Sequence, residues 1–526
     1  MIIKQKYVQE ILLGIYIICY FLVNLYTLPI FPFVHSDESW LSGLTRNMMD
    51  AGNFGVTETF FDLKPRYPHG IKIIFHLLQM PMLAIFKYDI FSFRLLSLFF
   101  GCICLILFYL LLKFIFIKKD RDCFWGYPLL GTILLSSDIQ FIYASHFARQ
   151  EIVLVLCIIL CIYFLFRKNY VMAAAITGIS IGIHPNSFLI GTMCAAILLP
   201  LGRIEKSKWK PFASYAFITS LFAAFFVSLS LYFDKEFIKH YIKYGNSEFD
   251  IGAPMISKLA ELPYFIKKIW YGVSGTYYVP NIKVELLLFL MVLLVAIVYI
   301  FIGKEKNRAE VILVLKGLAG LLIGMILIGR YNQTSIIFLF PLLFILILLT
   351  VDFGFEYLTL RNGMWKNITI LILTISLALS SMISIIPWKS YSYDDYIDEI
   401  ASVILPSNKV LANLNCEYYF ENGKLLDYRN LSFLKEEKLS IEDYIRENDI
   451  EYIILSDELN FIYSQRPVWN MIYGNLRYLD ELHDFTDKNC ILVHSFQNNT
   501  YGTRIVQHMN SDRDFTIQIF KVKDFT

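Results

Sequence analysis

The chain has 526 residues, 56% hydrophobic and 17% charged, with a formal charge of +2 and a mean hydropathy of +0.53. Its apolar runs are too long for a soluble core, so the composition predicts a polytopic α-helical membrane protein. The near-zero charge gives no general basic field, and neither a Gly-rich phosphate loop nor a zinc-type cysteine spacing occurs, which argues against nucleic acid and soluble nucleotides as partners.

The N-terminus pairs Lys4 and Lys6 with a long apolar stretch lacking a small-residue cleavage site, and reads as an uncleaved signal anchor with its start in the cytoplasm. Apolar segments follow at about 71–87, 91–117, 126–145, 151–166, 169–184, 187–202, 211–233, 284–302, 309–329, 333–351 and 367–387. If 71–87 crossed the membrane, the basic clusters Lys118, Lys119, Arg121 and Arg203, Lys206, Lys208, Lys210 would face outward. The segment is short, carries Lys72, His76, Gln79 and Lys87, and contains Pro81, so it is assigned to the interface. Those clusters then fall on the cytoplasmic side with Arg167, Lys168, Lys304, Lys306, Arg308, Arg361 and Lys366, as the positive-inside rule requires. The expectation is about 11 transmembrane helices with one juxtamembrane helix. Residues 1–387 form a membrane domain on this reading, and 388–526, where the composition turns polar, a small extracytoplasmic α/β domain. Most cysteines lie in apolar helices and serve packing; Cys416 and Cys490 lie in the exported part, where a disulfide is the alternative.

Under this topology ionisable residues gather at the outer level, where their cost beside a bilayer points to a site. They are Asp37 and Glu38 after the first span; Lys64, Arg66 and His69 in "DLKPRYPHG"; Asp138, His146, Arg149 and Glu151 in "SSDIQFIYASHFARQE"; and His184 and Asn186 in "GIHPNS". Each has a plainer role. Ser36 or Asp37 would cap the helix that follows, Lys64 and Arg66 would anchor in headgroups, Arg149 and Glu151 would pair structurally, and His184 would end a helix. The long outer loop at 240–280 reads equally as an interfacial anchor or as a cover over a ligand.

The stretches "SDESWLSGLTRNMMDAGNF", "DLKPRYPHGIKII" and "FRLLSLFFGCICLILFYLLLKFIFIKK" resemble, in order, the opening of GT-C glycosyltransferases that use polyprenyl-phosphate sugars, especially protein O-mannosyltransferases and lipid A aminoarabinose transferases. The resemblance rests on the first-loop acid, on Arg46, Met48, Gly52 and Phe54, on Lys64-Pro65, and on "RQE" at 149–151, where Glu replaces the family's Asp. It covers roughly the first 200 residues; Arg66 replaces the second proline of the Lys-Pro-Pro element, and no "WWDxG" occurs. It implies a GT-C fold and an inverting transfer from a polyprenyl-phosphate-linked sugar to a lipid, glycan or protein acceptor.

On that chemistry Asp37 is the base that deprotonates the acceptor hydroxyl, with Glu38 sharing the assignment, and Glu151 orients Arg149 or a substrate hydroxyl. Lys64, Arg66 and Arg149, with His184 or Asn186 as hydrogen-bond donors, hold the leaving phosphate. No metal is required, because protein cations neutralise the phosphate, although the nearby acids leave room for a divalent ion. The rival readings are a transporter or flippase of a lipid-linked sugar, and a polymerase or ligase using a lipid-diphosphate donor.

Overall fold

The computed structural model describes residues 2–116, 126–200, 206–272, 277–303, 305–329, 331–357, 363–465, 476–498, 500–502 and 515–523. Cys123 and the cations Lys118, Lys119, Arg121, Arg203, Lys304 and Arg361 fall outside them, as do the side chains of Lys4, Lys6, Lys206, Lys208 and Lys306.

Helices dominate the first 385 residues: α1 (Ile2–Thr27), α2 (Ser36–Asp50), α3 (Ile73–Ile85), α4 (Ile90–Phe116), α5 (Tyr127–Ser136), α6 (Ile139–His146), α7 (Glu151–Phe166) and α8 (Tyr170–Ile181). They continue with α9 (Ser187–Leu198), α10 (Lys206–Phe233), α11 (Phe237–Phe249), α12 (Met255–Tyr271), α13 (Lys283–Ile302), α14 (Glu305–Ile328), α15 (Phe340–Tyr357) and α16 (Gly363–Ile385).

Among the described residues seven helices are long and apolar enough to cross a membrane, and they coincide with seven of the expected spans. The other four expected spans, between 126 and 202, fall on the shorter apolar helices α5 to α9. Polar caps break them: Asp138 accepts from the amides of Gln140 and Phe141 to restart the chain as α6, and α6 and α7 meet at a bend of 118°. α3 has 13 residues with Pro81 inside, well short of the seven long helices.

Close helix contact depends on small residues, as membrane bundles require. A Cβ on Gly320 of α14 would come within 2.6 Å of the Thr192 carbonyl on α9, so only glycine lets these two backbones meet. The opposite faces of outer helices are apolar and exposed; Val284, Leu287, Leu294 and Phe301 of α13 present such a surface to lipid.

After α16 the chain forms α17 (Tyr393–Ala401), β1 (Val410–Ala412), β2 (Leu425–Asp427), α18 (Leu434–Glu437), α19 (Ile441–Glu447), β3 (Tyr452–Ser456), α20 (Asp457–Gln465), α21 (Leu479–Asn489), β4 (Cys490–Gln497) and β5 (Thr516–Val522). The sheet order is β2-β1-β3-β5-β4, with β1 parallel to β2 and β3, and β5 antiparallel to β3 and β4. This is a small α/β unit, and Cys416 and Cys490 are both buried and free within it, so packing and not a disulfide is their role.

The sheet unit docks on α2 and the loop after it. Arg46 binds the Glu417 carboxylate and donates to the Phe420 carbonyl at 2.8 Å, and Tyr88 donates to the same carboxylate. Ser39 donates to the Leu414 carbonyl at 2.7 Å, and the Phe60 carbonyl accepts from the Asp427 amide at 3.1 Å and from Asn430 at 2.9 Å. Glu417 is 2% exposed, so neutralising it leaves the Arg46 charge uncompensated in a buried contact. Glu417→Gln is therefore expected to raise hydrogen exchange in residues 36–50 and 410–434 together, while exchange in α13 stays unchanged.

Candidate active site

The site is built around the start of α2. His35 caps this helix: its Nδ1 accepts from the Asp37 amide at 3.0 Å, and Glu38 returns a bond to the His35 amide at 3.0 Å. Neither Ser36 nor Asp37 is the cap, contrary to expectation, which releases the Asp37 side chain to point away from its own helix end.

The two neighbouring carboxylates have opposite fates. Glu38 is fully buried and takes a two-pronged contact from Arg94 of α4, at 2.9 and 2.8 Å. It also accepts the Ala148 amide at 2.9 Å, while Arg94 reaches the carbonyls of Leu28, Pro32 and Phe33 at 3.0, 2.8 and 3.3 Å. A carboxylate so saturated and sealed has no room for a substrate proton, so a shared base role for Glu38 conflicts with its surroundings. Asp37 instead meets Arg149 at 2.9 Å and a hydroxyl donated by Tyr277, both on Oδ2. Its side chain is 20% exposed, against 0% for Glu38 and 4% for Glu151.

Arg149 precedes α7 and bridges two acids, since its other terminal nitrogen lies 3.1 Å from Glu151. Glu151 is the first residue of α7 and accepts the Thr334 hydroxyl at 3.0 Å. The Arg149 guanidinium packs over Phe147 and Tyr277, and its buried Nε has no partner among the described residues. His184 and Asn186 stand one layer further out: His184 Nδ1 accepts the Asn186 amide at 3.1 Å, and Asn186 reaches Ser335, the neighbour of Thr334, at 3.5 Å.

Lys64 and Arg66 form a second group, centred on Trp40, which lies one turn beyond Asp37 on the same face of α2. The Lys64 ammonium is 5.3 Å from the Trp40 ring centre, and the Arg66 guanidinium is 4.9 Å from it. Arg66 forms a fork on Glu58 at 3.0 and 2.8 Å, and Trp40 donates its indole proton to the same carboxylate. Burial raises the Glu58 carboxyl, but the Arg66 charge and the hydrogen bonds from Arg66 and Trp40 together outweigh it and hold the group at about 2.

Glu58 and Arg66 also line a small cleft, with Met48, His69, Lys72 and His76. Burial, with Lys72 and Arg66 next, pushes His69 down to about 3, so it is neutral at pH 7. Burial and then Arg66 bring the Lys72 ammonium down to about 8, and Lys72 lies within electrostatic reach of Arg149 and Asp37. Two of the expected constellation stand apart. Asp138 is a fully buried helix cap, and His146 is held by the Ile142 carbonyl at 2.8 Å and Thr27 at 3.0 Å.

No protein-family model matches the chain, and no curated protein does. Solved structures do. ArnT from Cupriavidus metallidurans, in the apo state, superposes with a TM-score of 0.51 at 12% identity over 96% of this chain and 97% of that one. The oligosaccharyltransferase AglB from Archaeoglobus fulgidus, in complex with an inhibitory peptide and a dolichol-phosphate, gives 0.50 at 11% over 95% and 75%. An Archaeoglobus fulgidus oligosaccharyltransferase in complex with Zn and sulfate gives 0.50 at 12% over 94% and 74%.

The chain has the GT-C fold.

Within that GT-C fold, Asp37, Arg149 and Glu151 come together and Lys64 and Arg66 gather around Trp40, one helical turn along; the sequence had put all five at one outer level and missed Arg94, Tyr277, Glu58 and Lys72. Arg94 was the most findable, as an arginine inside an apolar run beside a buried acid. Among the described residues no group of three or more His, Cys, Asp or Glu is placed to hold a metal.

Because Glu38→Gln leaves Arg94 as an uncompensated charge in a sealed site, it is expected to cost ~3–5 kcal/mol of stability. Asp37→Asn, at a partly exposed position, is expected to cost far less. Thermal unfolding of both variants in the same detergent checks the contrast.

Proposed function

We propose that the protein is an inverting membrane glycosyltransferase that moves a sugar from a polyprenyl-phosphate donor to an acceptor hydroxyl. We place the reaction on the outer face of the plasma membrane, with a cytoplasmic N-terminus and an extracytoplasmic C-terminal domain, as the basic loops favour. The GT-C fold supports the reaction class, and the dolichol-phosphate named for the archaeal oligosaccharyltransferase complex supports a lipid-linked donor.

The carrying observation is the exposure of Asp37. Of the five carboxylates around the site it is the most exposed, at 20%, against 0% for Glu38, 3% for Glu58, 4% for Glu151 and 3% for Asp427. A general base must be reachable by the proton it takes. In the proposed step the Asp37 carboxylate accepts the hydroxyl proton as the acceptor oxygen bonds to the anomeric carbon. The bond from that carbon to the phosphate oxygen breaks, and its electron pair leaves with the polyprenyl phosphate. Attack opposite the leaving group inverts the centre.

Arg149 serves both sides of this step. Its contact holds the Asp37 carboxylate in place, and its Nε, without a partner among the described residues, and the Arg66 and Lys64 group supply donors for the charge that builds on the departing phosphate. Glu151 and Thr334 fix the guanidinium, while His184 and Asn186 support that wall through Ser335. The donor set open to a divalent ion is Asp37 and Glu151, and Arg149 already bridges them.

Mass spectrometry of polyprenyl lipids from cells carrying wild type or Asp37→Asn at matched expression tests the reading. A sugar-loaded monophosphate lipid is expected to accumulate only with the variant, whose transfer activity should fall ~10²–10⁴-fold. Accumulation of a sugar-loaded diphosphate lipid instead would replace the donor assignment, and an unchanged pool in an inactive variant would remove it.

A further inference from the structure

One cation beside this site comes from the far end of the chain. Arg429, just after β2 in the sheet unit, lies 4.6 Å from the Trp40 ring centre and 4.7 Å from that of Phe61. Arg66 and Lys64 approach the same two rings, at 4.9 and 6.0 Å and at 5.3 and 5.5 Å. Three cations from two chain segments thus converge on one indole, with the carboxylates Glu58 and Asp427 paired to the two arginines, and Lys64 and Arg66 are the cations that the proposed function assigns to the phosphate.

Docking of the sheet unit does not need Arg429. Its neighbours Asp427 and Asn430 already clasp the Phe60 carbonyl, and Asn430 also accepts the Lys64 amide at 3.2 Å. Asp427 holds the Arg429 fork at 2.7 and 3.0 Å, which fixes the guanidinium against the Trp40 face. Trp40 is itself fixed by its bond to Glu58, whose partner Arg66 lines the cleft. Arg429 is 4% exposed and lies within electrostatic reach of Asp37. So buried, it can reach a ligand site only by holding the Trp40 group in place and not through direct contact with a ligand.

We propose that Arg429 is a positioning residue for an anionic phosphate ligand, through which the C-terminal domain completes the cation group around Trp40 and couples its own docking to ligand binding. This rests on the proposed phosphate-bearing donor and extends it: the C-terminal domain becomes part of the donor site. Coupling of this kind is reciprocal, so the ligand must tighten the docked domain as much as the docked domain tightens the ligand.

The test uses the full chain in lipid nanodiscs, with polyprenyl monophosphate and polyprenyl diphosphate as separate probes. Affinity and hydrogen exchange over residues 425–434 are read together. In wild type, monophosphate is expected to bind and to slow exchange in that segment. Arg429→Met is expected to weaken binding by about tenfold and to abolish the slowing. Arg446→Met, in an exposed pair with Glu442 on the same domain, is expected to change neither.

If Arg429→Met keeps its affinity while Lys64→Met loses it, the donor reading stands and the Arg429 role is overturned. If wild type binds only the diphosphate and Arg429→Met loses that binding, the Arg429 role stands and the monophosphate reading falls. Absence of binding by either lipid overturns both. Should Arg429→Met fail to fold, the wild-type exchange experiment decides alone: bound lipid with no slowing at 425–434 contradicts the coupling.

Discussion

The buried ion pair between Glu38 and Arg94 is the constraint on which the site depends. Arg94 gathers three carbonyls from the turn between α1 and α2, and Glu38 accepts the amide of Ala148 just before α7. Glu38 is the sequence neighbour of Asp37, and Ala148 of Arg149, so one sealed carboxylate sets the separation between the proposed base and its cation. A buried pair of this kind contributes little net stability compared with apolar packing, and its return is a fixed geometry. The same logic extends outward through Glu151, which holds Arg149 from the other side, and Thr334, which holds Glu151.

Two adjacent carboxylates thereby acquire different tasks from their surroundings alone. Glu38 is saturated by a guanidinium and two amides, and Asp37 is held by one guanidinium and one phenol at the edge of the bundle. Tyr277, which supplies that phenol, stacks on His35 at 4.4 Å and covers Arg149, so the loop before α13 contributes a wall of the site. The Trp40 group then adds positive charge one helical turn away, with Glu58 and Asp427 each neutralising its own arginine.

Much of this was legible in the sequence because the relevant signals are local. Length and apolarity marked the long spans, Pro81 and polar residues marked α3, and the polar tail marked the sheet unit. Asp37, Arg149 and Glu151 were recognisable because each sits where an apolar run ends. The roles of neighbours were not legible: nothing in "SDES" distinguishes Asp37 from Glu38, since the difference lies in Arg94, 56 positions beyond Glu38. Arg429 and Tyr277 were hidden for the same reason, as they arrive through long-range docking. The stretch 126–145 read as one span because apolar composition does not register the cap at Asp138, which divides it into α5 and α6, whereas the breaks at Asn169 and His184-Pro185 were read where they fall.

A structure of the full chain with a polyprenyl monophosphate bound tests the central claim most directly. The account predicts the phosphate within hydrogen-bond distance of Arg149 or Arg66, with the Asp37 carboxylate facing the side from which an acceptor approaches and Glu38 still closed on Arg94. A phosphate bound away from these cations, with the contact between Asp37 and Arg149 sealed from it, would contradict the account.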